Sequence, residues 1–198
     1  MPMALFSLLF PDVAQRETRT VTFSQDVEGI AAGTYGLLES YCDEPGCDCR
    51  RVFINVARAD PPGIVATIGF GWESEEFYRR RFKSGPPESA KFMAGAHLES
   101  FVRQSAVAPL FLGIFNDMIR RDPAYVDRIA RHYRMYKAEV ERRAGPDAAE
   151  PDDPVALMVR ARDGLHELAR MARDPGRNAP CACGSGRKSK RCCGRQAV

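Results

Sequence analysis

The sequence predicts an α+β fold in which an antiparallel β-sheet is covered by a helical layer and followed by a small cysteine-bearing tail. Three observations support this prediction. Residues 18–72 contain β-branched and aromatic runs separated by turn residues, whereas apolar residues recur at helical spacing from residue 74 onward. Four of the seven cysteines then lie between residues 181 and 193.

Four strands are predicted at residues 18–23, 33–41, 51–57 and 63–70. The short turn segments between them favour an antiparallel meander. The apolar start of the chain lacks the basic flank and cleavage site of an export signal, so we interpret it as buried structure. Residues 1–84 are therefore predicted to form a β region that includes a cysteine-bearing hairpin.

Helices are predicted at residues 74–82 and, after a Gly-Pro-Pro break, at 91–121. The clearest helix begins with Asp122 as N-cap and Pro123 in its first turn. Its apolar stripe comprises Val126, Ile129, Tyr133, Tyr136 and Val140. An acidic hinge at 144–154 and a last helix to about residue 173 complete a predicted helical region, 85–175, that packs on the sheet.

The composition indicates a globular protein with one core of ordinary size. No apolar run approaches the roughly 20 residues that cross a bilayer, so no membrane association is expected. Without an export signal we expect a cytoplasmic location. Clustered cysteines in that reducing compartment bind metal more often than they form disulfides.

The tail, residues 176–198, has its cysteines arranged as Cys181-Ala-Cys183 and, after eight residues, Cys192-Cys193. A segment this short cannot bury enough apolar surface to fold alone, but four thiolates around one tetrahedral ion would hold it. Zinc is the predicted ion, with iron as the alternative. Four thiolates leave no position for water or substrate, so the predicted site is structural rather than hydrolytic.

The run from Gly176 to Gly186, followed by Lys188, Lys190 and the second cysteine pair, resembles the SEC-C motif, the zinc-binding tail of the translocase ATPase SecA. The sequence departs from it once, because Cys193 stands where the translocase version has histidine; both residue types ligate zinc. The resemblance implies a recognition role, since the SecA tail docks on the chaperone SecB and is linked to ribosome contact. No phosphate loop is present, so no nucleotide binding is predicted.

Basic residues are concentrated in the tail. Six of the 29 basic residues and none of the 26 acidic ones lie between residues 176 and 198. We expect the tail to dock on an acidic protein surface or on ribosomal RNA. The residues predicted to make those contacts are Arg187, Lys188, Lys190 and Arg191. The first hypothesis is therefore a binding or adaptor protein.

A second cysteine group, Cys42, Cys47 and Cys49, lies at the predicted hairpin tip between two strands. Three thiolates within eight residues can converge on one ion, but they are one ligand short of a closed site. We predict His132 as the fourth ligand, because it lies beside the apolar stripe of a well-predicted helix and could face the sheet. Free buried thiols or a redox pair remain alternative interpretations of the three cysteines.

The hairpin group gives a second hypothesis, in which an open coordination position supports metal-dependent chemistry or metal transfer with a labile ion. In a third, both metals only stabilise the fold. The sequence contains no nucleophile-elbow G-x-S-x-G, no H-E-x-x-H and no dinucleotide-type glycine loop, so it indicates no named enzyme reaction.

Overall fold

The computed structural model describes residues 3–83, 87–145, 188 and 191, and it shows an α+β fold. Within these residues six strands form one sheet: β1 (Met3–Leu5), β2 (Arg19–Phe23), β3 (Gly33–Cys42), β4 (Arg51–Ala59), β5 (Pro62–Gly71) and β6 (Gly95–Leu98). The helices are α1 (Pro11–Glu17), α2 (Glu75–Arg81), α3 (Pro87–Met93), α4 (Ala108–Arg121) and α5 (Pro123–Ala144). A short 3-10 turn, Phe6–Leu8, joins β1 to the segment that leads into α1.

All strand pairs are antiparallel, and the strands follow the order β1-β3-β4-β5-β6. Strand β1 pairs with the C-terminal end of β3, whereas β2 pairs with its N-terminal half. The four strands predicted between residues 18 and 70 are confirmed, with ends that differ by at most two residues. Consecutive strands with short connections pair antiparallel because a tight turn returns the chain beside itself.

The core lies between one face of the sheet and helices α4 and α5. Strand β4 places Val52, Ile54 and Val56 on this face, and all three are buried. The rings of Tyr35 on β3 and Phe111 on α4 have centroids 4.9 Å apart. Burial of these apolar and aromatic side chains is the main stabilising contribution to the fold.

Helix α5 confirms the clearest helical prediction and begins at Pro123. The side chain of Asp122 does not cap the helix, however. Its carboxylate accepts a hydrogen bond from the Arg19 guanidinium of β2 at 2.6 Å, because this charged donor competes with the backbone N–H groups of the first turn. The ion pair fastens the start of α5 to the sheet instead.

The largest difference from the predicted secondary structure lies in residues 91–121, which the sequence predicts to be helical. The structure contains the end of α3, strand β6 and α4 in this segment. β6 pairs with β5, for example Leu98 with Ile68. Four residues carry too little periodicity to identify a strand, so pairing with β5 decides this segment.

In the apolar N-terminal run Phe6 is buried, with 2% of its surface exposed, and the other residues from 4 to 10 are partly buried. The predicted hinge after residue 144 and the last predicted helix lie almost wholly outside the described residues. Among the residues that are described, no helix is long and apolar enough to span a membrane.

The sheet face opposite α4 and α5 carries a buried polar group above Gly69. Arg51 donates to the Glu99 carboxylate at 3.0 Å, and His97 lies within 3.0 Å of the same guanidinium nitrogen. A Cβ atom at Gly69 would lie 2.0 Å from the Glu99 carboxylate. Glycine is therefore required here because the polar group lies directly against the backbone of β5.

We expect Gly69→Ala to lower the free energy of unfolding by about 1–3 kcal/mol, because the added methyl group displaces the Glu99 carboxylate from Arg51. Gly63→Ala is the matched control on the same strand, since no atom lies within 4 Å of its added Cβ. That change should stay within about 0.5 kcal/mol of the wild type. Denaturant unfolding measures both, and equal stabilities would contradict the assignment.

Candidate metal centre

The connection between β3 and β4 brings three cysteines together, as their spacing predicts. Cys42 is the last residue of β3, and Cys47 and Cys49 precede β4. Their sulfur atoms all lie within 4.8 Å of one another. All three are free thiols; Cys42 and Cys49 are fully buried, whereas Cys47 is partly exposed. This arrangement can hold a metal ion.

Backbone geometry turns the loop back onto itself. Cys47 donates its N–H to the Glu44 carbonyl at 3.2 Å, and Gly46 has a φ of 71°. Arg50 also adopts a left-handed backbone with a φ of 47°, which is uncommon for a residue other than glycine. Its guanidinium donates to the carboxylates of Asp48 at 3.0 Å and Glu73 at 2.9 Å, and these bonds hold the turn.

Two sulfur atoms accept hydrogen bonds from the backbone. The N–H of Glu44 donates to Cys42, and the N–H of Arg51 donates to Cys49. In each case the donor follows the cysteine by two residues. Such bonds favour the thiolate over the thiol and orient a sulfur ligand toward a metal ion. The loop therefore offers hydrogen bonds that would orient the sulfur atoms of three candidate ligands.

Burial controls the protonation of these thiols. It raises the pKa of Cys49 to about 12, and the neighbouring Cys47 and Cys42 add to this increase. Burial also raises the pKa of Cys42. At neutral pH both thiols are therefore protonated when no metal is bound. A divalent cation would displace these protons, because its charge compensates the thiolates that burial disfavours.

Helix α5 holds the cysteine loop in place. The backbone N–H of Gly46 donates to Glu141 at 2.6 Å, and the Lys137 ammonium donates to the Glu44 carbonyl at 2.6 Å. The Tyr133 hydroxyl donates to Asp48 at 3.2 Å. These contacts come from successive turns of the helix, so the loop is fixed along its length.

The structure does not bring His132 to the cysteines. Its Nδ1 lies 2.6 Å from a Glu39 carboxylate oxygen and its Nε2 lies 3.2 Å from Glu17, while its ring stacks on Phe6 at 4.4 Å. One residue advances an α-helix by about 100°, so Tyr133 faces the loop while His132 faces β3. His132 is 1% exposed and is a core residue here rather than the predicted fourth ligand.

No fourth cysteine, histidine or carboxylate joins the group among the described residues. Asp43 has a buried carboxylate oxygen without a hydrogen-bond partner, but it does not belong to the group. His97 instead contacts Arg51 and Glu99. His166 lies outside the described residues. A tetrahedral ion bound by the three thiolates would have one further position to fill.

The predicted tail ligands Cys181, Cys183, Cys192 and Cys193 lie outside the described residues, as do Arg187 and Lys190. Lys188 and Arg191 are described and exposed. The N–H of Arg191 donates to the Lys188 carbonyl at 2.8 Å, so these two predicted contact residues belong to one turn.

The carboxylates that surround His132 were not among the residues predicted from the sequence. Glu39 is 8% exposed and lies on β3 between Leu37 and Tyr41, on the face that packs against α5. A carboxylate at an inward-facing strand position requires a partner, because a buried unpaired charge is costly. The inward-facing position of Glu39 in the predicted strand therefore indicated that a buried cation or hydrogen-bond donor packs against β3.

A family model for the SEC-C motif matches residues 177–195. Two relatives are both described as protein translocase subunit SecA. The one from Pelotomaculum thermopropionicum is 57% identical over 35 residues, which cover 18% of this chain and 4% of the relative. The one from Treponema denticola is 48% identical over 42 residues, which cover 21% of this chain and 5% of the relative.

No solved structure matches this chain. The chain spans no more than 5% of the length of the two SecA relatives. It therefore carries a SEC-C motif, which is a metal-binding motif, at residues 177–195 and a separate three-cysteine group in its body.

Metal affinity at the hairpin should rise with pH across the neutral range, because the cation must displace protons from thiols whose pKa values burial raises. A protein with serine at all four tail cysteines isolates this site. Competition with a chromophoric zinc chelator from pH 6 to 8.5 measures the affinity, with up to about three protons released per ion. An affinity independent of pH would contradict thiolate ligation.

Replacing His132 with alanine should lower the free energy of unfolding by about 3–5 kcal/mol, because the buried carboxylate of Glu39 then keeps only the neutral Tyr41 hydroxyl as a donor. The number of bound metal ions should not change, whereas Cys49→Ser should remove one ion. Native mass spectrometry counts the ions, and denaturant unfolding gives the stability.

The exposed Arg134→Ala on the same helix is the control, with an expected change within about 0.5 kcal/mol. His132→Gln serves if the alanine variant does not fold. Loss of the hairpin ion from a folded His132 variant would restore this residue as the fourth ligand.

Proposed function

We propose that this protein is a zinc-binding adaptor whose SEC-C tail docks on a protein surface or on ribosomal RNA. The match of residues 177–195 to the SEC-C motif is the observation that carries the proposal. The relatives that share this segment are protein translocase subunits SecA, so the motif occurs in proteins that are otherwise much longer. The body of this chain would be the cargo or effector that the tail positions.

Zinc is the ion that the ligand sets favour. Tetrahedral sites with four thiolates commonly bind zinc, and the two tail cysteine pairs supply four sulfur ligands. The hairpin adds a three-sulfur group whose buried thiols accept backbone hydrogen bonds. Iron also accepts sulfur ligands, and metal analysis of the purified protein separates the two ions.

The charge distribution supports docking through the tail. The charged side chains of the tail are all basic, whereas the acidic residues all lie in the remainder of the chain. Lys188 and Arg191 are exposed and belong to one turn, so their charges are available to a partner. An RNA partner would make binding strongly dependent on salt, because each phosphate contact releases counterions.

Metal transfer or metal-dependent chemistry at the hairpin is a second candidate function. The observation that favours it is the partly exposed Cys47 in a group with three ligands among the described residues. Two fully buried cysteines and the contacts from α5 favour a firmly held structural ion instead. The docking proposal stays first because it also accounts for the tail.

A variant without the tail charges tests docking on RNA. Its substitutions to alanine are at Arg187, Lys188, Lys190 and Arg191. We expect weaker co-sedimentation with purified ribosomes and a slope of log affinity against log salt that is smaller by up to about four, one for each phosphate that is no longer neutralised. The zinc content should stay at the wild-type value.

The matched control removes four exposed basic residues from the body, namely Arg16, Lys91, Arg103 and Arg134. This control changes the net charge equally, so it separates a local contact from a general electrostatic effect. Equal decreases in affinity in both variants would contradict a specific tail contact. Wild-type binding that does not change with salt would exclude RNA and leave a protein partner.

A further inference from the structure

We propose that hydroperoxides oxidise Cys47. The oxidised Cys47 then forms a disulfide with Cys42, and the metal ion bound at the hairpin is released. The inference rests on metal binding at the hairpin under the proposed function but not on docking by the tail. It assigns the three-cysteine group a chemistry that a purely structural ion would not need.

The three cysteines differ in their access to solvent. Cys47 is partly exposed, whereas Cys42 and Cys49 are both 0% exposed. The side chains of both Cys42 and Cys49 also contact the Cys47 thiol, and all three sulfur atoms lie within 4.8 Å of one another. An oxidant therefore reaches Cys47 first, and the oxidised sulfur already has a thiol beside it.

The reaction proceeds in two balanced steps. The Cys47 thiol gives up its proton and its sulfur attacks the outer oxygen of the hydroperoxide; the O–O bond breaks, sulfenic acid forms, and the released alkoxide takes up the proton to become an alcohol. The sulfur loses two electrons and the peroxide gains them. The Cys42 sulfur then attacks this sulfur, the S–O bond breaks, and the released hydroxide takes up the proton of the Cys42 thiol to become water. Two thiols and one hydroperoxide thus give one disulfide, one alcohol and one water.

Cys42 is the better partner for this disulfide. It lies on the end of β3, and the turn closed by the Cys47 N–H and the Glu44 carbonyl brings Cys47 back toward it. Only Asp48 separates Cys47 from Cys49. A disulfide between those two would close a small strained ring, and strained disulfides are reduced more readily.

The disulfide would remove two of the three hairpin ligands. One remaining thiolate cannot hold the ion, so the metal leaves. The change occurs beside Gly46, whose N–H bonds Glu141 near the end of α5. Oxidation at the hairpin would therefore alter the contacts that hold the last turns of α5, the helix that precedes the tail in the chain.

The test uses the full-length protein loaded with zinc and treated with hydrogen peroxide. We expect native mass spectrometry to show loss of the hairpin zinc, and peptide mapping to show a disulfide between Cys42 and Cys47. Mapping the tail peptides separately shows whether Cys181, Cys183, Cys192 and Cys193 were oxidised, and so whether zinc was also lost from the tail. In zinc-free protein, Cys47→Ser should prevent a disulfide in this loop, whereas the matched Cys49→Ser should still form the bond between Cys42 and Cys47.

Retention of the hairpin zinc with reduced Cys47 would overturn the redox proposal alone. A disulfide that joins Cys42 to Cys49, or one that Cys49→Ser abolishes, would overturn the assignment of Cys47. A hairpin that binds no zinc before peroxide is added would overturn the metal-release step together with the second zinc site of the proposed function.

Discussion

The antiparallel pairing of β3 with β4 is the constraint on which the rest of the structure depends. Its register, with Ser40 opposite Phe53, determines which side chains face α4 and α5. The same register brings the ends of both strands together at the loop that carries Cys42, Cys47 and Cys49. A shift by one residue would turn the core side chains outward and separate the sulfur atoms, so fold and candidate site share one origin.

Helix α5 supports both the core and the three-cysteine group through neighbouring residues. His132 faces β3, where its Nδ1 lies 2.6 Å from a Glu39 carboxylate oxygen and its Nε2 lies 3.2 Å from Glu17. Tyr133, Lys137 and Glu141 face the cysteine loop. The helical rotation of about 100° per residue separates these roles. The loop is thus held by the same rigid element that covers the sheet.

The two cysteine groups differ in what supports them. The tail group belongs to a recognised motif that covers residues 177–195 and lies in a strongly basic segment. The hairpin group lies in the body of the chain, outside the matched segment, and is supported by buried backbone and by α5. Metal binding by the tail is proposed from the sequence motif, whereas metal binding by the hairpin is proposed from the distances between its sulfur atoms. Different experiments therefore test the two groups.

The four central strands, helix α5 and the grouping of Cys42, Cys47 and Cys49 could all be predicted from the sequence, because local periodicity and short spacing encode these features. The SEC-C motif was also evident from cysteine spacing and its flanking residues. Tertiary structure alone decided that Asp122 pairs with Arg19 and that His132 packs against Glu39, over separations of 103 and 93 residues. It likewise decided that residues 95–98 form a strand. Such contacts depend on which surfaces meet in three dimensions, and neither residue type nor local spacing specifies that meeting.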